Sequence, residues 1–403
     1  MKILHTSDWH LGRTLYTKKE RLDEHTAFLN WLLDTIKREN IDLLLIAGDV
    51  FDTASPSSTS QKLYYDFLIK VKTVGCENVI VVGGNHDSPS FLNAPKDILS
   101  ALNITVIGNA SEDIDDEIIL INDKAGKPAL LVCAVPFLRE RDISRFAEGE
   151  SYSDRSKRIN ENIQKHYREV AERAEQIRAE LDENIPIIAT GHLSVSGGKR
   201  MDDDGVRETY IGTIEAISSD IFPETFDYVA LGHYHIPSVI KPHIRYSGSP
   251  IPMGFAEANQ QKQVYIIDFS GEKTISNIEI PVFQKLVSIA GDKSEIEQQI
   301  KSLKAENQSV WVEIVYTDDE IFPDISNWVE EQTADSQIEV LKLINRQLLN
   351  AVLTHEDTTE LLDEMNEYDV FDKVLEKNSI PDEQSKTLRE LYKEILTEMQ
   401  IEK

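Results

Sequence analysis

The chain has 403 residues and very little cysteine. Its two cysteines, Cys76 and Cys133, are far apart, each lies in an apolar run, and neither belongs to a CxxC motif. This excludes a disulfide framework and a structural zinc knot built from thiolates. We expect both thiols to be buried and reduced, which is typical of a cytoplasmic protein.

Long apolar runs are also missing. No stretch reaches the roughly 18 apolar residues of a membrane-spanning helix. The first five residues run directly into charged ones, without the apolar core and small-residue cleavage site of a secretory signal. We therefore expect no membrane anchor and a cytoplasmic location.

The sequence contains no recognisable nucleotide-binding loop. It has neither GxxxxGK[ST] nor GxGxxG, and Gly197-Gly198-Lys199 has the wrong spacing for a phosphate-binding loop. Any ATP hydrolysis in a working assembly must therefore come from a partner. Residues 199–204 carry three consecutive aspartates, which we interpret as a solvated acidic loop rather than an additional metal site.

Positive charge is scarce. The chain has 42 Lys and Arg against 71 Asp and Glu, a net charge of −29. Because duplex binding depends on Lys and Arg to neutralise phosphates, this balance predicts weak DNA affinity for the isolated chain or a partner that supplies positive surface. Acidic chains can still hold divalent cations, which favour carboxylate oxygen.

Length and pattern predict two or three domains. The first two thirds alternate apolar strands with helical segments, and a boundary falls near Pro281. A small α/β unit follows, and the chain beyond about Leu349 is acidic and helical. We place domains at 1–281, 282–348 and 349–403. The last helix carries an apolar stripe, which usually marks core but here favours packing on another protein.

Five predicted strands each end in a loop that bears metal-ligand residue types. These loops carry, in chain order, Asp8 and His10; Gly48-Asp49; Gly84-Asn85-His86-Asp87; Gly191-His192; and Gly232-His233-Tyr234-His235. Ligands of open α/β sheets gather at the carboxyl ends of strands, so separate segments can converge there. The four glycines permit the sharp turns and close backbone approach of a crowded site.

The donor types indicate which metal the site prefers. Carboxylates, an amide oxygen and imidazoles suit manganese, iron or zinc better than calcium. A single histidine after a strand is more often a packed residue than a ligand, and Asp49 alone would fit a helix or turn cap. The joint pattern favours a metal site. We interpret the other five histidines as structural or surface residues: His5, His25, His166, His243 and His355.

These motifs, in this order, resemble the calcineurin-type metallophosphoesterase superfamily over residues 1–275. The resemblance implies an α/β fold whose core is a two-sheet β sandwich flanked by helices, with a small α/β cap domain and C-terminal helices. It implies two divalent metal ions, with manganese as the expected metal. One would be held by Asp8, His10, Asp49 and His235, and the other by Asp49, Asn85, His192 and His233. His86 would act as general acid, oriented by Asp87.

Segments outside the motifs point to a narrower family. Residues 134–142, 191–198 and 246–257 are similar to the nuclease subunits of bacterial complexes that process DNA double-strand breaks. That resemblance implies a double-strand exonuclease and single-strand or hairpin endonuclease, used in DNA end processing and repair. It also implies an ATPase partner in a heterotetramer with two copies of each subunit. Asp52 departs from the archaeal members, which have a second active-site histidine there.

The narrower resemblance also assigns surfaces. The small α/β unit corresponds to a cap that faces DNA, and residues 349–403 to the segment that docks on the ATPase. The helices around Phe91 and at 158–182 become candidates for a homodimer interface. One alternative is a metallophosphoesterase that acts on small phosphodiesters. An interaction scaffold on a decayed fold is disfavoured, since every expected ligand position is filled.

Overall fold

The structure is a computed structural model, and it describes residues 1–16, 19–143, 151–181, 183–199, 216–318, 322 and 324–345. Residues 200–204 of the expected acidic loop lie outside the described residues, as do the helices expected beyond Leu349 and the histidine at position 355. None of the described helices combines the length and apolar character needed to cross a bilayer.

Strands and helices alternate along most of the described chain. The strands are β1 (Lys2–Thr6), β2 (Thr14–Leu15), β3 (Lys19–Glu20), β4 (Leu43–Ala47), β5 (Asn78–Val82), β6 (Ile104–Ile107), β7 (Ile118–Asn122), β8 (Pro128–Cys133), β9 (Ile187–His192), β10 (Tyr228–Gly232), β11 (Ser238–Lys241), β12 (Ile244–Tyr246), β13 (Gln263–Asp268), β14 (Thr274–Glu279), β15 (Lys285–Gly291), β16 (Val310–Tyr316) and β17 (Ile338–Asn345). The helices are α1 (Leu22–Glu39), α2 (Ser58–Thr73), α3 (Pro89–Asn93), α4 (Lys96–Ser100), α5 (Glu140–Ile143), α6 (Tyr152–Leu181), α7 (Lys293–Glu306) and α8 (Ile325–Thr333).

Two six-stranded sheets form the sandwich predicted for the core. The first has the order β14-β13-β1-β4-β5-β6, and the second the order β11-β12-β10-β9-β8-β7. β1, β4, β5 and β6 run parallel, as do β8, β9, β10 and β12, so each sheet collects the carboxyl ends of several strands at one edge. This arrangement allows residues from distant loops to meet at one end of the sandwich.

The central strands of the first sheet, β1, β4 and β5, are buried on both faces. All five residues of β4 are buried, as expected for a continuous apolar run in a parallel sheet. One face packs against the second sheet through a shared cluster that includes Leu43 and Leu45 of β4 and Val132 and Ile188 of the opposite layer. Helices α1 and α2 cover the other face, and α6 covers the outer face of the second sheet.

Local signals fix the ends of these helices. Asn40 takes a left-handed conformation with φ of 55° and stops α1, because its backbone N–H bonds back to the last turn. At α2, the Ser57 hydroxyl accepts a hydrogen bond from the Ser60 N–H at 3.2 Å.

Beyond the sandwich lies a three-stranded sheet with the order β15-β16-β17, accompanied by α7 and α8. Helix α7 starts at a capping box: the Glu295 N–H donates to Asp292 Oδ1 at 2.8 Å, and the Asp292 N–H donates to the Glu295 carboxylate at 3.0 Å. Leu286, Trp311 and Leu341 pack with Leu15 and Phe255 of the sandwich region. The α/β character expected for this region is confirmed, with the order β15, α7, β16, α8, β17.

Residues 1–315 and 324–343 form one compact unit, and 316–323 with 344–403 form a second. In the second unit, the structure describes only residues 316–318, 322, 344 and 345. There the rings of Tyr316 and Phe322 meet edge to face, with centroids 5.9 Å apart.

Candidate metal centre

The predicted ligand residues meet at one end of the sandwich. The loops after β1, β4 and β5 bring Asp8, His10, Asp49 and Asn85 from the first sheet, while β9 and β10 bring His192, His233 and His235 from the second. The potential ligand atoms of three overlapping groups each lie within 4.8 Å of one another: Asp8, His10 and His235; His10, Asp49 and His86; and Asp8, Asp49 and His192.

Asp49 occupies the middle of the site. Its Oδ2 lies 3.2 Å from His192 Nε2 and 3.6 Å from His10 Nε2, two residues that belong to different groups. Its Oδ1 accepts a hydrogen bond from the His86 backbone N–H at 2.9 Å. The carboxylate is therefore fixed by the backbone on one side and faces imidazole nitrogens from both sheets on the other.

On one side of Asp49 lie Asp8, His10 and His235. The Nε2 atoms of His10 and His235 face each other at 3.1 Å. Asp8 is fixed by hydrogen bonds that its oxygens accept from the His233 backbone N–H at 2.9 Å and from the Ser7 hydroxyl at 2.5 Å. All three side chains are buried, so their converging donor atoms are shielded from bulk water.

On the other side lie Asn85, His192 and His233. Asn85 Oδ1 is 3.1 Å from His192 Nε2 and 3.1 Å from His233 Nδ1. His192 Nδ1 lies 2.9 Å from the Ala47 carbonyl oxygen, so its ring donates there and leaves Nε2 free to coordinate. Asn85 and His233 are only partly buried, which makes this the more accessible side of the site.

The backbone is unusual at the ligand positions. Asp8, His10, Asp49 and His233 have φ values of 52°, 47°, 50° and 101°, in the region that side chains other than glycine rarely adopt. Such conformations cluster at functional sites, because the surrounding fold must hold them in place. Sequence patterns carry no signal for this feature.

Two glycines allow the sheets to close on the site. A β-carbon at Gly48, where φ is +88°, would lie 2.1 Å from His192 Nδ1. One at Gly232 would lie 1.9 Å from the Ala47 carbonyl oxygen. The prediction that glycines beside the ligands permit close approach is confirmed at these two positions.

Burial of like charges perturbs the titration of the site. Burial, together with the nearby Asp49 carboxylate, raises the pKa of Asp8 to about 7. Burial alone would lower the pKa of His192, but the Asp49 carboxylate raises it to about 9. Burial would raise the pKa of Asp49, as it does that of Asp8, but the His192 and His10 imidazoles hold the pKa of Asp49 well below its usual value. The two buried carboxylates, Asp8 and Asp49, repel each other, and a divalent cation bound between them would offset that repulsion.

His86 lies beside the proposed ligands, and Asp87 bonds to the backbone of the loops around it. His86 Nδ1 lies 2.9 Å from the backbone carbonyl oxygen of Asp52, and its ring packs edge to face on His10 with centroids 4.8 Å apart. The Asp87 carboxylate accepts hydrogen bonds from the N–H groups of Val50, Phe51 and Gly84 at 2.9–3.1 Å. Through these bonds Asp87 holds the loops that carry the His86 ring, and its role in orienting the ring stays a prediction.

Asp52, which departs from the archaeal pattern, lies behind a ligand residue. Its Oδ1 is 3.1 Å from Arg13 Nη1 and 3.3 Å from His10 Nδ1. The carboxylate thus sets the orientation of the His10 ring, which points its Nε2 toward Asp49. The motifs gave no indication of the role of Arg13, since an arginine after a turn is an ordinary surface residue in sequence.

Three histidines outside the motifs have structural roles. His5 lies 2.9 Å from the Tyr228 hydroxyl, His25 Nε2 lies 3.0 Å from the Trp9 carbonyl oxygen, and His166 lies 2.8 Å from the Glu117 carboxylate. His243 is partly exposed. These contacts agree with the interpretation of the four residues as structural or surface histidines.

The sandwich and its site define a metal-dependent phosphoesterase. A family model described as calcineurin-like phosphoesterase matches residues 1–237, and the chain belongs to that family. It is a hydrolase of a family that binds divalent metal, and the clustered carboxylates and imidazoles are groups that could hold an ion. A second model, described as Type 5 capsule protein repressor C-terminal domain, matches residues 282–379.

Within this family, the chain is similar in sequence to proteins named as the SbcD subunits of SbcCD nucleases. The chain is 36% identical over 399 residues to the SbcD subunit of the Escherichia coli strain K12 nuclease, covering 97% of each protein. It is 35% identical to the corresponding protein of Rhodobacter capsulatus, covering 70% of this chain and 69% of that protein. The Bacillus subtilis counterpart is 32% identical, with 66% of each covered.

Proposed function

We propose that the chain is a manganese-dependent DNA nuclease that hydrolyses phosphodiester bonds as the SbcD component of an SbcCD complex. The observation that carries the proposal is the position of Asp49, whose carboxylate lies 3.2 Å from His192 and 3.6 Å from His10. Such a carboxylate between two donor groups is the arrangement that a pair of metal ions needs. Similarity to a nuclease subunit over 97% of the chain supports DNA as the substrate.

We assign the ligands as follows. One ion is held by Asp8, His10, Asp49 and His235, and the other by Asp49, Asn85, His192 and His233. The fit is supported by the buried Nε2 atoms of His10 and His235, which face each other at 3.1 Å. Mixed nitrogen and oxygen donors without thiolates suit manganese.

A bound metal pair supplies Lewis-acid stabilisation of phosphoryl oxygens and a more acidic water. The residues of the chain supply the remaining chemistry. In the hydrolysis a water oxygen forms a bond to phosphorus, the bond to the leaving oxygen breaks, and that oxygen takes a proton. His86 is placed to provide the proton, because its Nδ1 is directed to the Asp52 carbonyl and its Nε2 remains available. No serine or cysteine nucleophile is required.

The proposal extends to the assembly. With a net charge of −29, the chain requires positive surface from elsewhere to hold a duplex, and the ATPase SbcC is the partner that the SbcCD relatives indicate. We propose two copies of each protein, working in the cytoplasm on DNA ends and hairpins. Residues 1–281 form the nuclease domain, 282–348 the cap that faces DNA, and 349–403 the segment that docks on SbcC. Homodimerisation would use the helices around Phe91 and at 158–182.

Cleavage of end-labelled duplex and hairpin DNA with manganese, with and without SbcC, tests the proposal. We expect cleavage that disappears with chelator, returns with manganese, and increases with SbcC and ATP. A chromogenic phosphodiester and cyclic nucleotides should be run in parallel. Efficient hydrolysis of the small esters together with no cleavage of either DNA would contradict the nuclease assignment and favour a small-substrate phosphodiesterase.

A further inference from the structure

A fully buried carboxylate lies directly behind one of the proposed ligands. Glu257, at the end of the short 3-10 turn Phe255–Glu257, has no solvent exposure. Its Oε2 accepts a hydrogen bond from the Met253 N–H at 3.1 Å and forms an ion pair with the Lys262 ammonium. Burying a charge in this way is costly unless it is paired and hydrogen-bonded, so one oxygen of Glu257 is fully satisfied.

Lys262 connects this carboxylate to the ligand loop. Besides Glu257, its ammonium donates to the His235 carbonyl oxygen at 2.9 Å and to the Ser249 hydroxyl oxygen at 3.1 Å. These three acceptors use the three N–H groups of the ammonium. Lys262 therefore ties the Glu257 side chain and the His235 backbone to one point, which fixes the carboxylate relative to the imidazole.

The other oxygen of Glu257 and the nitrogen that faces it have no hydrogen-bond partner among the residues that the structure describes. Glu257 Oε1 lies 3.8 Å from His235 Nδ1, and both atoms are buried. A separation of 3.8 Å is too long for a hydrogen bond. The opposite nitrogen of the ring, Nε2, points to His10 at 3.1 Å.

We propose that Glu257, held by Lys262, is a positioning residue that accepts a hydrogen bond from His235 Nδ1 and thereby presents Nε2 of that ring to the metal. This inference rests on the proposed function, in which His235 is a ligand. Histidines that bind a metal nearly always donate their second ring N–H to a carboxylate or carbonyl, which fixes the tautomer and raises the basicity of the ligand nitrogen. A ring shift of about 1 Å would bring the two unpartnered atoms to hydrogen-bond distance.

Replacement of Glu257 by glutamine distinguishes this role from a merely structural ion pair. The glutamine oxygen would turn to Lys262 and the Met253 N–H, so its NH₂ group would face His235 Nδ1. A donor at that position favours the tautomer with its proton on Nε2, and a protonated Nε2 cannot coordinate. E257Q should therefore impair metal binding although it preserves the shape of the side chain.

The test measures manganese binding by isothermal titration calorimetry after chelation, in E257Q and in the control E24Q. Glu24 is a matched control, since it is also a buried carboxylate paired with a cation, Arg21, at 2.6 Å. We expect E257Q to weaken one manganese site by about 10–100-fold. E24Q should keep both manganese affinities within about threefold of the unmodified chain. This should hold even if E24Q lowers the thermal unfolding midpoint as much as E257Q does. Two manganese sites of unchanged affinity in E257Q would overturn the inference, and so would equal weakening in E24Q.

A measurement on the unmodified chain covers the case in which E257Q does not fold. With histidine labelled by ¹⁵N and zinc as a diamagnetic probe, His235 should show a protonated, slowly exchanging Nδ1–H, identified by its absence from His235→Gln. A deprotonated Nδ1 in the zinc-loaded chain would overturn the inference.

The inference about Glu257 and the proposed function can fail separately. A chain that binds two ions but cuts no DNA contradicts the nuclease assignment and leaves the role of Glu257 intact. A chain that binds no manganese or zinc contradicts both.

Discussion

The backbone carbonyl oxygen of Asp52 lies 2.9 Å from Nδ1 of His86. A carbonyl oxygen can only accept a hydrogen bond, so this contact keeps a proton on Nδ1, and His86 donates to the leaving oxygen from Nε2 when the ring carries both protons as an imidazolium. Because the contact uses the main chain, it persists when the side chain at position 52 is replaced. The roles of the two residues can therefore be separated by substitution.

His86→Ala should retain both metal ions and lose rate. General acid catalysis contributes roughly 10²–10⁴-fold, and we expect a loss of kcat in that range. The measurement is single-turnover cleavage of labelled hairpin DNA alongside elemental analysis of the purified variant. If metal content falls together with the rate, His86 is a ligand and the assignment as proton donor is incorrect.

Asp49→Ala should lose metal as well as activity, because its carboxylate faces donor groups on both sides. Elemental analysis and DNA cleavage are measured on the same preparation. Asp66→Ala is a suitable control, since Asp66 forms an exposed ion pair with Lys62 on helix α2. Full occupancy of two metal ions in Asp49→Ala would refute the bridging role.

Asp52→Ala should weaken metal binding without removing the proton donor. The substitution removes the carboxylate 3.3 Å from His10 Nδ1, and loss of such a support costs about 10–100-fold in metal affinity. At saturating manganese, kcat should exceed that of His86→Ala. Calorimetry and cleavage at several manganese concentrations separate the two effects. A kcat as low as that of His86→Ala at saturating metal would contradict this division of roles.

Manganese affinity should rise with pH. The pKa of Asp8 is raised to about 7 by burial, and that of His192 to about 9 by Asp49 against the effect of burial. The free site therefore holds a proton on His192 at about pH 8 and a further one on Asp8 below about pH 7, and metal must displace both. We expect affinity to rise about tenfold per pH unit above about pH 7 and more steeply below it. Calorimetry in buffers of different ionisation enthalpy counts the released protons, and an affinity that stays constant between about pH 6 and about pH 8 would disprove the assignment.

Removal of the residues after Leu349 should abolish binding to SbcC and spare cleavage of short DNA. The truncation leaves the metal site intact, since every proposed ligand lies before residue 236. Complex formation is measured by size-exclusion chromatography with SbcC, and cleavage with a short labelled duplex. A truncated chain that still elutes with SbcC would place the docking segment elsewhere.

Sequence patterns predicted the candidate metal ligands more completely than the strands and buried residues that surround them. The apolar runs before Asp49, Asn85 and His192 marked strands whose ends carry ligands, and these strands are present. The short strands β6 and β7 were not predicted, because β6 has only four residues and β7 is an edge strand whose burial follows neither a continuous nor an alternating pattern. Glu257 also escaped detection, since burial and pairing with Lys262 depend on tertiary packing that a single sequence does not display.

The close contact between Gly232 and Ala47, where a β-carbon would fall 1.9 Å from the carbonyl oxygen, has a mechanical consequence. The two layers are in contact at the end that carries the ligands, and the core between them is filled mainly with aliphatic side chains. A substitution that changes the volume of the core between the sheets would tilt one sheet against the other about this contact. The distances between metal-ligand atoms from the two sheets would then change. Tolerance to mutation in the interlayer core is therefore limited by the alignment of the two halves of the metal site, before the free energy of unfolding becomes limiting.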